Sequence, residues 1–307
     1  MSGEDTAEHT TPHDIPMSRS LAAALQALEA ESAGSEALRH ADPAAGLVLF
    51  ALVRAARPQQ VLMISTVPLY LALWIAMGAH RKSSHLTIVT ESGAERVREA
   101  LRDADLDMVL EVLEASTIVE MQQIQGPFDL VLLDLDATRY AALWSWLKGK
   151  LSPGALFIAM GAIQQEERLD ALTEVLVEEP QWRQVTIDKG SGLLVAGRAP
   201  RPPQFDESPR EALTALLLNA LQPATLVLGQ NVVFDGSTKP PGTRVNFGGA
   251  GGNIGDGDLL IAHPQDLGRF SPLPGATALV LGELKAPIRT PNVVLPFGDE
   301  IATLIVA

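Results

Sequence analysis

The chain has 307 residues, 37 acidic against 23 basic side chains for a net charge of −14, and no cysteine. Its length suits two domains of ordinary size. The missing cysteines exclude disulfide scaffolds, Cys-ligated zinc, iron–sulfur centres and thiol nucleophiles, and the acid excess argues against nucleic acid or anionic membrane as partners.

Hydrophobic residues make up 47% and aromatics only 5%, so the core is aliphatic. Residues 1–16 are polar and acidic, with no helical or strand period, and read as a flexible tail. They hold no apolar stretch of the secretory type, and no run elsewhere reaches the roughly 20 apolar residues of a membrane span. A cytoplasmic location without membrane insertion is the expectation. Leu21, Leu25 and Leu28 fall at helical spacing after Ser18 and Ser20, and residues 44–56 read as a second helix stopped by Pro58.

An alternation then begins. Short apolar runs at 60–65, 86–90, 109–113, 128–133 and 155–159 read as buried strands, the last after a turn at Ser152-Pro153-Gly154. Between them, residues 69–78, 94–104, 117–123, 139–148 and 166–177 read as helices, and 182–188 and 192–196 as two closing strands. Strands without polar positions, alternating with helices, imply a mostly parallel sheet covered on both faces. Such sheets bind ligands beyond the carboxyl ends of their strands, which directs attention to 64–70, 90–92, 114–116, 134–140 and 159–163.

At those positions the sequence resembles a family. GLVLFALVRAARPQQVLMIST (46–66) follows G-x-x-L-x-x-L-x-x-x-x-x-x-x-V-L-E-I-G-T, and FDLVLLDLDATRY (128–140) follows F-D-L-V-F-I-D-A-D-K-x-x-Y. LSPGAL (151–156) and GSGLLVA (190–196) match a further turn and the last strand. The pattern is that of class I S-adenosylmethionine-dependent O-methyltransferases of the bacterial caffeoyl-CoA/catechol type, over residues 40–199. The resemblance implies an α/β fold, a Rossmann-like sheet with flanking helices. It places Ser65, Thr66, Glu91, Ser116 and Asp134 around the cofactor if one binds, with Glu91 matching the acid that holds the ribose hydroxyls.

The departures fall on the chemistry that the resemblance implies. Met63 stands where the family has an acid, Ser65 and Leu69 stand where it has glycines, and Pro68 removes an N–H from the same loop. Glu114-Ala115-Ser116 replaces Gly-x-Ala. Asp134 matches the first ligand of the family's divalent cation and is a residual catalytic candidate. Met160-Gly161 replaces the Asp-Asn pair, and Ala137 the nearby Lys. One carboxylate cannot satisfy a hard cation, so no metal is expected, and S-adenosylmethionine is expected only if the site still functions. Asp134 and Asp136 also suit the capping of the following helix.

The six histidines lack zinc spacing, and His40 suits a surface or capping place. Trp74, Trp144 and Trp146 suit packing. The Gly-rich run 248–258 lacks phosphate-loop and calcium-repeat registers and reads as a tight or flexible turn.

Residues 200–307 hold 13 of the 25 glycines and 13 of the 21 prolines, against 12 and 8 before them. The expected organisation is a tail (1–16), a methyltransferase-like domain (17–199), a proline linker (200–207) and a smaller, Gly/Pro-rich α/β or strand-rich domain (208–307). Within the last, 211–228 resembles 46–64, 257–261 resembles 128–132, 274–281 resembles 153–159, and 293–306 resembles 185–195. An eroded partial repeat is the reading, against an unrelated small module. Its uncovered apolar faces imply docking on the first unit, a homo-oligomer or a protein partner. Three functions follow: a scaffold or interaction protein that has lost catalysis, an active metal-independent O-methyltransferase on a small molecule, or a small-molecule binding or sensing module.

Overall fold

The computed structural model describes residues 15, 17–33, 42–79, 84–104, 106, 109–198, 207–230, 232, 234, 239–247, 252–272, 276–282, 284, 292–297 and 300–306. All of the tail but Ile15, which is buried in the main core, lies outside them, as do His40, most of the proline linker and Gly248–Gly251.

Two helices come first, α1 (Arg19–Ala33) and α2 (Pro43–Ala56). Asp42 caps α2, its carboxylate accepting from the N–H groups of Ala44 and Ala45. Pro43 occupies the first turn, where no N–H is needed. The helix ends on Arg57, in the left-handed region at φ 52°. Of its 14 residues, 11 are buried, so α2 lies between layers and not on a surface.

The alternating segment builds one seven-stranded sheet. Its strands are β1 (Gln60–Ser65), β2 (His85–Thr90), β3 (Val109–Glu114), β4 (Phe128–Asp134), β5 (Leu151–Met160), β6 (Trp182–Ile187) and β7 (Leu193–Arg198). Their order is β3-β2-β1-β4-β5-β7-β6. The first five are parallel, and β7 runs antiparallel to both β5 and β6. Helices α3 (Leu69–Ala79) and α4 (Ala94–Asp103) join α1 and α2 on one face, and α6 (Tyr140–Leu147) and α7 (Glu166–Val177) cover the other, beside the single turn α5 (Ile118–Met121). The α/β class read from the sequence is what forms, and the central residues of β1 (61–64) and β4 (130–133) are all apolar because they are covered on both faces.

One element departs from the reading. The turn expected at Ser152-Pro153-Gly154 belongs to β5, which starts at Leu151. The ladder to β4 shifts register between Phe128 and Leu130, and that irregularity lets a proline sit within the strand.

The rest of the chain forms helix α8 (Pro209–Leu221) and a second, strand-rich sheet. That sheet holds β8 (Thr225–Leu228), β9 (Arg244–Phe247), β11 (Leu259–Ala262), β13 (Thr277–Val280), β14 (Asn292–Phe297) and β15 (Glu300–Val306). A small pair, β10 (Gly252–Ile254) with β12 (Phe270–Pro272), lies apart from it. The turn expected in the Gly-rich run is present at Gly255–Asp258, where the Asp258 N–H donates to Gly255 O and its carboxylate accepts from the Gly255 N–H. Asp256 meets Arg57, the last cap of α2, at 2.7 Å.

The two sheets share one apolar core. Leu213, Leu216 and Leu217 of α8 lie in the same cluster as Leu156, Ile158 and Val195 of the first sheet and Leu295, Leu304 and Val306 of the second. Glycines set the approach: a Cβ on Gly154 would lie 2.5 Å from Asn219 O of α8, and one on Gly197 would lie 2.9 Å from Leu216. Among the described residues no helix is long and apolar enough to cross a membrane.

Gly154→Ala is expected to lower stability by about 1–3 kcal/mol in chemical denaturation, because backbone must shift to admit the methyl. Gly149→Ala, with nothing within 4 Å of the new Cβ, is the control and should stay within about 0.5 kcal/mol. Equal effects would contradict the close approach of α8.

Candidate functional site

The carboxyl ends of β1, β2 and β4 converge where a ligand of this fold would lie. Ser65 ends β1 and Asp134 ends β4, and parallel pairing sets them side by side. Both are buried, and the Ser65 hydroxyl donates to Asp134 Oδ2 at 2.7 Å. The Thr66 N–H donates to Asp134 O at 3.3 Å, and the Val67 N–H to the Ser65 hydroxyl at 3.1 Å. The residual catalytic candidate is thus held by the residue that stands in a glycine's place.

Glu91 follows β2 and is 41% exposed. Its carboxylate is paired with Arg139, which reaches across from the turn after β4. The same guanidinium donates to Ser116 O at 3.1 Å. Arg139 therefore links the loop after β2 to the loop after β3. Ser116 is further tied by its own N–H, which donates to Glu120 at 2.7 Å. Glu114 accepts from the Ala94 N–H at 3.0 Å, at the start of α4.

Five positions proposed from the sequence fall in one region, joined as two groups. Ser65, Thr66 and Asp134 form one, and Glu91 and Ser116 are connected through Arg139. Sequence reasoning missed Arg139: an arginine at a helix start carries no sign of which loop it will meet. It also missed α1 as a cover. Tyr70 donates to Glu29 at 2.8 Å and Arg96 meets Glu31 at 3.1 Å, which fasten α1 over the loop after β1. A cavity of about 220 Å³ remains, lined by Leu28, Thr66, Pro68, Leu69 and Ser92 among others. Ligand pockets usually hold about 300–1,000 Å³.

Asp136 caps the turn before α6, accepting from both the hydroxyl and the N–H of Thr138. Those two bonds, side chain first, hold its carboxyl below the usual range, with Arg168 and Arg139 adding to them. Gln165 accepts from the Ala137 N–H at 3.1 Å. Tyr140 is fully buried, and its hydroxyl accepts from the Leu135 N–H at 3.1 Å and has Leu135 O at 3.0 Å as its nearest acceptor. Among the described residues no three His, Cys, Asp or Glu gather in a way that could hold a metal ion.

No protein-family model and no curated protein matches the chain. Solved structures do. The O-methyltransferase from Bacillus cereus in complex with SAH is 22% identical at a TM-score of 0.51, over 60% of this chain and 92% of that one. The SAH-bound Podospora anserina methyltransferase PaMTH1 is 16% identical at 0.53, over 60% and 88%. TomG from Streptomyces achromogenes, an O-methyltransferase of tomaymycin synthesis in complex with SAM, is 18% identical at 0.50, over 60% and 91%. The large sheet is a class I methyltransferase fold. At these identities the likeness extends to the fold, and the chemistry has to be argued from the methyltransferase-fold site itself.

Tyr70 and Tyr140 are the two tyrosines of the chain. Burial is the main cause holding both phenols above their usual 10.0, with Glu29 adding at Tyr70 and Asp134 at Tyr140. An unfolded chain ionises them near 10, so the folded form binds more protons above that pH. Their contribution to stability is complete below pH 10 and declines as pH rises beyond it. Ultraviolet titration should therefore show no tyrosinate until circular dichroism reports unfolding. A tyrosinate step in the folded chain near pH 10 would contradict the burial.

Proposed function

We propose that this chain is a methyltransferase-fold protein that does not transfer methyl groups and acts as a scaffold or interaction protein. The observation that carries the reading is the Glu91–Arg139–Ser116 link. The acid that the resemblance assigns to the ribose hydroxyls is neutralised by an arginine, and the arginine spans two of the three loops that would border an adenosine. A ribose binding at Glu91 Oε1 would compete with a charge-assisted bond already made there.

Three further features support the same reading. Ser65 engages Asp134 at the carboxyl ends of β1 and β4. Pro68 and Leu69 replace a backbone N–H and a glycine in the loop that would approach the methionine end of the cofactor. The remaining cavity of about 220 Å³ lies under α1. Together these features argue against a fit for S-adenosylmethionine. Met160-Gly161 and Ala137 stand where a metal-assisted deprotonation would need oxygen-ligand side chains and a lysine, so that chemistry has no support either.

Calorimetric titration with S-adenosylmethionine and S-adenosylhomocysteine tests the proposal. Dissociation constants weaker than about 1 mM are expected for both. Binding at about 10 μM or tighter to either would overturn it. Leu69→Gly, which restores the lost glycine, should leave this outcome unchanged, since Arg139 still engages Glu91.

A further inference from the structure

We infer that residues 208–306 are a shortened second copy of the methyltransferase-fold unit, folded back on the first as its partner in cis, so that the chain is a monomer built like a dimer. Strand order is the first ground. The second sheet runs β9-β8-β11-β13-β15-β14. If β8, β9, β11, β13, β14 and β15 stand for β1, β2, β4, β5, β6 and β7, this is the order of the large sheet without β3. All five pairings keep their sense. β8 is parallel to β9 and β11, β11 is parallel to β13, and β15 is antiparallel to β13 and β14. In the large sheet the corresponding five are three parallel and two antiparallel, in the same places.

The second ground is local. Each first strand is preceded by a helix with the same ends. Asp42 and Ser208 cap α2 and α8, and Pro43 and Pro209 follow them. Each helix stops on a left-handed residue that is not glycine, Arg57 at φ 52° and Gln222 at φ 43°. Among the described residues these are the two non-glycine positions with positive φ. A proline follows each directly, Pro58 and Pro223. An unrelated module has no reason to repeat an uncommon backbone state at the matching place.

The third ground is the contact between the units. α2 packs on β14 and β15, while α8 packs on β6 and β7. α2 meets α8, and β6 meets β14, where the Asp188 N–H donates to Pro296 O at 2.9 Å. Under the correspondence, each of these contacts maps onto another in the set or onto itself. That reciprocity is the signature of an isologous, twofold interface. Two contacts lie outside it: α8 also reaches β5, where Gly154 leaves room for it, and Arg57 pairs with Asp256. Of the occupants expected for the uncovered apolar face, the chain's own first unit is the one that packs there.

The absence of cysteine makes a direct test clean. In the full chain, Asp188→Cys with Pro296→Cys places two thiols on residues that one backbone hydrogen bond joins across the units. Oxidation is expected to give an intrachain disulfide, read by peptide mass, in a species of one chain's mass. An interchain disulfide would overturn the inference, as would none in a variant with unaltered circular dichroism. Sedimentation of the unsubstituted chain gives an independent reading. A single-chain mass of 32.7 kDa is expected, and a dimer would overturn it.

Discussion

Helix α8 is the constraint on which the assembly of the two sheets depends. Leu213, Leu216 and Leu217 face the cluster shared with β5, β7, β14 and β15, while Leu218 joins the cluster around β8 and β11. All four are essentially without solvent contact. Complete burial of one leucine contributes about 1.5–3 kcal/mol, so the four together contribute roughly 6–12 kcal/mol before entropy is counted. That is of the order of the whole net stability of a domain. A sheet of short strands carrying few helices of its own cannot forgo it. The glycines at 154 and 197 allow the helix to come close enough for that burial to be complete.

The same demand for satisfied groups shapes the strand ends. Buried polar atoms need partners, and at a ligand site the ligand often supplies them. Here the protein supplies its own. The buried Asp134 has Ser65 and the Ala137 N–H has Gln165, and even the exposed Glu91 and Glu114 are engaged, by Arg139 and the first N–H of α4. A site so arranged holds its loops together without a cofactor. The substitutions at 63, 65, 68 and 69 then read as parts of one change. Met63 is fully buried as core, Pro68 stiffens the turn into α3, and Leu69 and Tyr70 pack at the start of that helix.

How much of this the sequence disclosed depends on what each residue's neighbours had to be. β1 and β4 were legible because their centres, covered on both faces, are unbroken apolar runs at 61–64 and 130–133. The nearness of Ser65 and Asp134 followed from the adjacency of those strands in the resembled fold. β5 began earlier than expected because a Ser-Pro-Gly turn signal is overridden where the ladder shifts register. β9 was not read at all: Arg244, Asn246 and Phe247 are exposed, so no buried period marks the strand. Arg139 was invisible as part of the site, since its partners lie 48 and 23 positions away on other loops. In the Gly- and Pro-rich region the segments compared with the first unit showed only faint likeness, since strand order depends on pairings between distant stretches of chain.

The account rests on one cooperative body spanning both sheets. All four tryptophans, at 74, 144, 146 and 182, belong to the first unit, so their fluorescence reports that unit, while far-ultraviolet circular dichroism reports both. Equilibrium unfolding in urea followed by the two signals is therefore the most direct measurement. A shared core predicts coincident transitions with one midpoint. A dichroism change that precedes the fluorescence change would mean that the second sheet melts by itself, and would contradict the account.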